Sequence, residues 1–337
     1  MHNTLPVPLW PRTLIRTNGQ PKLIYLDLKD WISFAQVLTK HPKGDQYREL
    51  FQVCCNAVQN KNALFPFSQF TIMELQNNSF RHRSDLTIVV EQLSEFKTVC
   101  PPTVIIEHEF ETVLDCLVGP RPKAIPIVNY LGYGIFHAAG LPFHPMEHDP
   151  YWTRKIVCGP NPIEEVDARQ GGWNPKELLK GYEINAQNEQ QQVTVFKDNL
   201  PPKGHKFRDE WRRFAIAGRA YVAEIDTIVT RCCDARGTSL EIVFDPDTGW
   251  GDLRNATDAM PWLDCFVSLL SSLHRDPNYL WNRNTIIDIQ TLAITIPYCD
   301  VVLTDHAMMD HAFRCNLPKR YGTVVISDLH KLNEFLL

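Results

Sequence analysis

Both ends of this 337-residue chain follow one pattern, in which a short apolar run leads to an aspartate and then to residues with helical spacing. Near the N-terminus, Lys22 to Leu28 is predicted to be a buried strand and Asp30 to Leu38 a helix. Near the C-terminus, Val301 to Leu303 is a predicted strand and Asp305 to Phe313 a predicted helix. Strands that alternate with helices favour a mostly parallel sheet with helices on its faces.

Further elements continue this alternation at both ends of the chain. Helices are predicted over Tyr47 to Val58, from near Thr71, over Arg83 to Phe96 and over Thr285 to Ile296, and strands over Ala63 to Phe67 and Thr323 to Ile326. We therefore expect an α/β fold in which residues 21–110 and 284–337 form two parts of one core. Residues 111–283 contain several prolines and a polar tract, and we interpret them as a largely helical insertion.

Composition limits the environment in which the chain works. Hydrophobic residues make up 44% and charged residues 22%, and no apolar run is long enough to cross a membrane. The first twenty residues lack the basic and then apolar pattern of a signal peptide. The sequence thus predicts a soluble, cytoplasmic protein without a membrane partner.

Cysteine and histidine spacing gives no sign of a disulfide framework or a zinc site. The ten cysteines include two adjacent pairs in a large chain, which favours reduced, buried thiols. Zinc modules need spaced ligand pairs, and no convincing set occurs. His137, His144 and His148 come nearest to a cluster, and we interpret them as ordinary loop or core histidines.

Four carboxylates occupy comparable places in the pattern. Asp27 ends the first strand, Glu74 and Asp288 are expected in the first turns of helices, and Asp305 follows the strand Val301 to Leu303. Ligands of parallel sheets bind beyond the carboxyl ends of the strands, so the four side chains are expected to converge there. Such convergence is unfavourable unless cations or protons offset the repulsion.

An oxygen-rich site of this kind suits Mg²⁺ or Mn²⁺, which can activate water and stabilise the leaving oxygen of a phosphodiester. Hydrolysis is therefore the expected chemistry. The chain has no glycine-rich phosphate loop with a Walker lysine, which argues against hydrolysis of nucleoside triphosphates.

Each of these acids also has an ordinary structural explanation. Thr71 with Glu74, and Thr285 with Asp288, fit the capping-box pattern, while Asp27 and Asp305 suit the N-caps of the following helices. Capping explains any one of them, whereas the set of four at one sheet edge favours a site. Thr304 is either a helper that orients Asp305 or an ordinary strand-end residue.

Several stretches resemble PIN-domain nucleases of bacteria. They are Ile24 to Asp27 with Trp31, Ser68 to Glu74, Arg81 to Ser94, Ile286 to Asp288, and Asp300 to Asp305. The resemblance covers roughly Leu23 to Glu109 and Asn284 to Leu329. Many PIN domains are compact, so the long insertion departs from the family pattern and leaves the substrate open.

The resemblance implies a PIN-like parallel sheet and an Mg²⁺- or Mn²⁺-dependent endoribonuclease. Asp27, Glu74, Asp288 and Asp305 then become the catalytic, metal-binding acids. The family also implies a toxin or phage-defence effector, with an antitoxin or defence partner, and pairing into a homo-oligomer. RNA, single-stranded or structured like transfer RNA, is the expected substrate, and single-stranded DNA remains an alternative.

A basic run in the insertion is the predicted RNA-binding segment. The net charge of −5 gives the whole surface no attraction to a polyanion, so local patches are needed. The predicted RNA-binding residues are Lys203, Lys206, Arg208, Trp211 and Arg212. Cations contact phosphates and aromatic rings stack on unpaired bases. A solvated helix face explains the same run, since Asp209 and Glu210 dilute its charge.

Two other interpretations of the acids differ from an active nuclease. Phosphoryl-transfer enzymes with a nucleophilic aspartate would need D-x-D-x-T after the first strand, and the chain has Asp27-Leu-Lys-Asp30 instead. A catalytically silent PIN-like module that binds RNA or supports assembly stays open as the alternative function.

Overall fold

A computed structural model describes residues 21–76, 80–121, 130–140, 153–154, 175–245 and 253–336. The strands are β1 (Lys22–Tyr25), β2 (Ala63–Leu64), β3 (Lys97–Val99), β4 (Leu131–Tyr133), β5 (Val301–Leu303) and β6 (Val324–Ile326). The first helices are α1 (Leu28–Leu38), α2 (Arg48–Gln59), α3 (Gln69–Gln76), α4 (Phe80–Ser94), α5 (Pro102–Val118) and α6 (Gly134–Ala138). The later helices are α7 (Pro175–Asn199), α8 (Arg208–Arg219), α9 (Asp226–Asp234), α10 (Glu241–Phe244), α11 (Leu253–Asp258), α12 (Pro261–Leu273), α13 (Arg283–Thr295), α14 (His306–Arg314) and α15 (Leu317–Tyr321). Short 3-10 helices cover Pro42–Tyr47 and Leu329–Phe335, and a π-helical turn covers Ala220–Glu224.

The described residues divide into two compact units. The sheet unit comprises residues 21–76, 80–101, 130–140, 153–154, 175–182 and 298–336. The helical unit comprises residues 102–121, 183–245 and 253–297. This grouping puts α5 and α13 in the helical unit. The domain boundaries expected from the sequence, at 110 and 283, stay a prediction.

The sheet unit is built on four parallel strands in the order β2-β1-β5-β6. Ile24 pairs with Val301, and Val301 pairs with Val324, so β5 lies between β1 and β6. Residues Ile24 to Leu26 and Val301 to Leu303 are buried, as expected for strands covered on both faces. The predicted α/β class, with a parallel sheet, flanking helices and a largely helical middle region, is confirmed.

The strand order creates a switch point between β1 and β5. From β1 the chain crosses to β2 on one side, and from β5 it crosses to β6 on the other side. Ligands of open parallel sheets bind at such a point, in the crevice beyond the carboxyl ends of the two strands. The topology therefore marks the ends of β1 and β5 as the place to look for a site.

The first helices begin earlier than the sequence suggested. Helix α1 starts at Leu28, which was predicted to be a strand residue, because Asp27 caps it. Ser68 Oγ accepts hydrogen bonds from the N–H groups of Phe70 and Thr71, so α3 starts at Gln69. Each helix starts where a side-chain oxygen first satisfies the free N–H groups of its first turn.

A small antiparallel sheet of β3 and β4 lies beside the parallel one in the same unit. Gly132 is required there, because a Cβ atom at this position would fall 2.1 Å from the His137 ring. Nδ1 of His137 lies 2.8 Å from Thr98 Oγ1. His137 is thus a partly buried histidine with a local hydrogen bond, in keeping with its interpretation as an ordinary loop or core histidine, whereas His144 and His148 lie outside the described residues.

Helix α12 is the centre of the helical unit. All of its residues from Pro261 to Leu273 are buried, and it packs against α5, α8, α11 and α13. A helix that is buried all round needs partners for its polar groups. The carboxylate of Glu109 on α5 accepts the Trp262 N–H at 3.0 and 3.1 Å, which satisfies the start of α12 from a different helix.

In the part of the chain that the structure describes, no helix is both long enough and apolar enough to cross a membrane.

Candidate active site

Three neighbouring strands of the sheet unit each lead to an aspartate that caps the next helix. Asp27 follows β1, Asp305 follows β5 and Asp328 follows β6, in each case two residues after the strand ends. Their carboxylates accept the N–H groups of Leu28, Met308 and His330, respectively. The expectation that Asp27 and Asp305 lie at the carboxyl edge of the sheet is met by their position. The alternative interpretation of Asp27 and Asp305 as N-caps is also correct, because a carboxylate at the carboxyl edge of the sheet can cap the following helix as well.

Lys29 joins the ends of β1 and β5. Its Nζ donates a hydrogen bond to the main-chain oxygen of Thr304 at 2.8 Å and lies 3.7 Å from Oδ2 of Asp27. The Thr304 carbonyl directly precedes Asp305, so the ammonium group sits where the two strand ends meet. One cation of the chain itself therefore offsets part of the charge of this edge.

The acids at this edge influence one another. Burial raises the pKa of Asp27, Asp305 raises it further, and Lys29 and the Leu28 N–H lower it. Asp30, in the first turn of α1, is only 3% exposed, and burial raises its pKa to about 7, with the charge of Asp27 adding to the rise and Lys29 opposing it. Oδ2 of Asp30 has no hydrogen-bond partner among the described residues. The edge therefore contains one buried carboxyl oxygen that no hydrogen bond among the described residues satisfies.

Glu74 approaches the same part of the sheet unit from α3. It lies in the second turn of α3 and not in the first turn as predicted, because Ser68 is the cap and Thr71 is already helical. The buried Tyr25 hydroxyl at the end of β1 bonds to Ser68 Oγ at 2.7 Å and to Thr71 Oγ1 at 3.1 Å. Burial raises the pKa of Tyr25 and the charges of Glu74 and Asp27 contribute, so both acids act on one hydroxyl.

Asp288 belongs to the helical unit, on α13. Asn282 caps α13 through a hydrogen bond from Thr285 N–H at 3.1 Å, so the predicted capping box of Thr285 and Asp288 is wrong. Asp288 consequently lies in the second turn and is partly buried. Its membership in the four-carboxylate site stays a prediction.

Two other acids of the C-terminal region make contacts of their own. Oδ2 of Asp300 accepts the Leu23 N–H at 2.7 Å, which extends the pairing of β1 and β5 at the end opposite to Asp27 and Asp305. Asp310 lies 3.6 Å from His306 on the surface of α14. Neither belongs to the strand-end edge.

The strand-end acids suit a hard divalent cation in their chemistry. Their donors are carboxylate oxygens, the side chain of Asp27 is 32% exposed, and Asp30 offers a buried oxygen without a partner. No three His, Cys, Asp or Glu side chains in the described ranges are grouped closely enough to hold a metal ion. Mg²⁺ commonly keeps several waters and uses one or two carboxylates, so a pair such as Asp27 and Asp305 fits this mode of binding.

The predicted RNA-binding residues lie just before α8 or in its first two turns, and only some of them face solvent. Lys203, Lys206 and Trp211 are exposed. The Arg208 guanidinium donates to the carbonyl oxygen of Pro201, and that of Arg212 is buried against Asp209 at 2.5 Å. Arg208 and Arg212 thus hold the fold of this segment, and the exposed lysines and Trp211 remain the predicted contacts.

Asp30, Asp328 and Lys29 were not among the residues predicted from the sequence. Asp328 shows the same signal as Asp305, because it follows the apolar run Val324 to Ile326 and precedes a helix. Lys29 and Asp30 lie next to Asp27 in the sequence but carry no pattern that shows where they point. Their roles depend on the adjacency of β1, β5 and β6.

Comparison of the chain with protein-family models, with curated proteins and with solved structures finds no match.

Proposed function

We propose that the protein is a metal-dependent endoribonuclease that hydrolyses RNA phosphodiester bonds at the strand-end edge of the sheet unit. The observation that carries this proposal is the placement of Asp27 and Asp305 after two adjacent parallel strands, at the switch point of the sheet. Mg²⁺ or Mn²⁺ is the proposed cofactor.

Asp27 and Asp305 would hold the cation through their carboxylates. A bound Mg²⁺ or Mn²⁺ supplies Lewis-acid chemistry, lowering the pKa of water and neutralising charge on a phosphodiester. The hydrogen bonds from Leu28 and Met308 keep the two carboxylates fixed in direction. Glu74 and Asp288, the other two predicted acids, remain proposed members of the catalytic set.

The protein's own charges support cation binding at this edge. Burial is the main cause of the raised pKa values of Asp27 and Asp30, and nearby charge adds to both: Asp305 acts on Asp27, and Asp27 acts on Asp30. Lys29 offsets only part of this charge. A divalent cation would offset the remaining negative charge, and this electrostatic gain favours cation binding at the edge.

The test is incubation of purified protein with total cellular RNA, with Mn²⁺ or with chelator, followed by mapping of the cut ends. Asp27→Asn and Asp305→Asn should abolish cleavage, and Asp45→Asn, an exposed acid paired with Arg48, should not. Glu74→Gln and Asp288→Asn in the same assay decide whether those acids belong to the set. Cleavage by Asp27→Asn at the wild-type rate would refute the site.

A catalytically silent RNA-binding or assembly module is the second candidate. It is favoured by the capping roles of Asp27 and Asp305 and by the lack of a ready-made group of three metal ligands among the described residues. If no condition gave cleavage and RNA binding persisted in chelator, the catalytically silent module would be supported.

The proposed biological setting is that of a toxin or phage-defence effector with an antitoxin or defence partner. This part of the proposal rests on the resemblance to PIN-domain nucleases. Growth arrest on expression of the wild type, and normal growth with Asp27→Asn, is the expected result.

A further inference from the structure

Helix α8 and the residue that precedes it expose three large aromatic side chains on one face. Phe207, Trp211 and Phe214 follow one another at helical spacing and are 43%, 55% and 51% exposed. The rings of Trp211 and Phe214 meet edge to face, with centroids 6.3 Å apart. The other face of α8 already packs against α12 in the same unit. The packing of α8 therefore does not account for its aromatic face, and such exposed apolar groups mark binding surfaces.

The aromatic face is one wall of a cavity of about 350 Å³. Helix α11 supplies the other wall through Arg254 and Thr257, and Glu210 and Arg213 also line it. Pockets for small molecules span about 300–1,000 Å³, so this cavity is of a size for one small planar group. It is concave and held between two helices, unlike the flat face that a partner helix would cover.

The charges around the aromatic rings distinguish between possible occupants. Lys206 Nζ lies 5.1 Å from the centroid of the Phe207 ring, and the Arg254 side chain is 66% exposed at the opposite wall. Exposed cations beside aromatic faces are the combination that binds single-stranded nucleic acid, with phosphates on the cations and bases on the rings. An apolar helix would instead take these cations out of water, and among the described residues only the loose pairing of Arg254 to Asp258 at 3.8 Å would offset the cost.

We propose that this aromatic cavity binds one unpaired nucleotide of RNA, with the base against Trp211 and Phe214 and the phosphates toward Lys206 and Arg254. The inference rests on the proposed function for the nature of the ligand, and it specifies the substrate as RNA with an unpaired base. The Glu210 carboxylate provides an acceptor for base N–H groups at the rim. Trp211 and Phe214 are binding residues, distinct from the acids that would perform the cleavage.

The test measures binding without cleavage. Protein carrying Asp27→Asn is titrated, in chelator, into a labelled uridine-rich oligonucleotide that cannot pair with itself, and into a duplex RNA of equal length. Trp211→Ala and Phe214→Ala should each weaken binding of the single strand about tenfold or more, since stacking on one aromatic ring carries that much affinity. The affinity for the duplex RNA should change by less than about twofold.

Val222→Ala is the matched control, because Val222 is 77% exposed in the same unit and does not line the cavity. The inference would be overturned if all variants bound the single-stranded oligonucleotide with equal affinity, or if Val222→Ala lost as much affinity as the aromatic variants. Failure of the parent protein to bind this oligonucleotide would also overturn it. Conversion of a dimeric parent to a monomer by Trp211→Ala would overturn it in favour of an interface between copies. Cleavage is scored separately, so this inference and the proposed nuclease can fail independently.

Discussion

The ammonium group of Lys29 lies 3.7 Å from Oδ2 of Asp27 at the end of β1. The same group donates a hydrogen bond to the carbonyl oxygen that precedes Asp305 at the end of β5. Lys29 thus lies between the ends of the two strands whose aspartates are proposed to bind a cation. We interpret it as a counter-ion built into the acidic edge.

Replacing Lys29 by methionine should raise the pKa of Asp27, because Lys29 is the largest influence that lowers this pKa. The stability change should stay within about 1 kcal/mol, since both side chains are partly exposed and water screens the pair. NMR titration of the Asp27 carboxyl checks the shift. Lys22→Met is the control at the opposite end of β1, where Nζ bonds to the Phe335 carbonyl oxygen. Equal Asp27 pKa values in the two variants would exclude the counter-ion role.

Asp30 should make the sheet unit less stable as the pH rises. Its pKa is about 7 in the folded protein and about 3.9 in an unfolded chain, so the unfolded state loses its proton first. The contribution of Asp30 to the free energy of unfolding is therefore greatest below pH about 4. It falls by up to about 1.4 kcal/mol per pH unit until pH about 7.

Asp30→Asn should remove this slope and gain stability relative to the wild type above pH about 7. Urea unfolding across this pH range measures the difference. Asp45→Asn replaces an exposed acid, and its free energy of unfolding should vary with pH as that of the wild type does. If the free energy of unfolding of Asp30→Asn showed the same pH dependence as the wild type, the folded protein would not hold a proton on Asp30.

The carboxylate of Glu109 should stabilise the helical unit by receiving the first free N–H of α12. Glu109→Leu leaves the buried Trp262 N–H without this partner, and a loss of about 1–3 kcal/mol is expected. The control is Glu107→Leu, which breaks a partly exposed ion pair with Arg231 and should cost at most about 1 kcal/mol. Thermal unfolding followed by far-UV circular dichroism compares the two. A larger loss for Glu107→Leu would contradict the capping role.

The cations near α8 should separate into two classes. Lys203 and Lys206 are exposed, so their replacement by glutamate should weaken RNA binding and lower its salt slope by about 1 per lost phosphate contact. Arg212→Glu should instead destabilise the fold, because its buried guanidinium pairs with Asp209. Salt-dependent binding and thermal unfolding of both variants check this division. A stable Arg212→Glu protein with the same binding defect would place Arg212 in the RNA contact.

Periodic patterns identified most of the strands and helices near the ends of the chain. The strand Val301–Leu303 was predicted at its observed bounds, because an apolar run between polar residues is a local signal. The starts of α3 and α13 were misplaced by a few residues. Ser68 and Asn282 were overlooked as caps, since several nearby residues can cap a helix and only the folded chain shows which one does.

The sequence by itself determined the α/β class and the presence of acids directly after two strands, because both are set by residues close together in the chain. Tertiary structure alone decided the strand order β2-β1-β5-β6, which makes the ends of β1 and β5 neighbours. It also decided that Lys29 lies between them and that Asp328 joins the same edge. These outcomes depend on pairing between segments nearly three hundred residues apart, such as Leu23 with Asp300, and no local pattern contains that information.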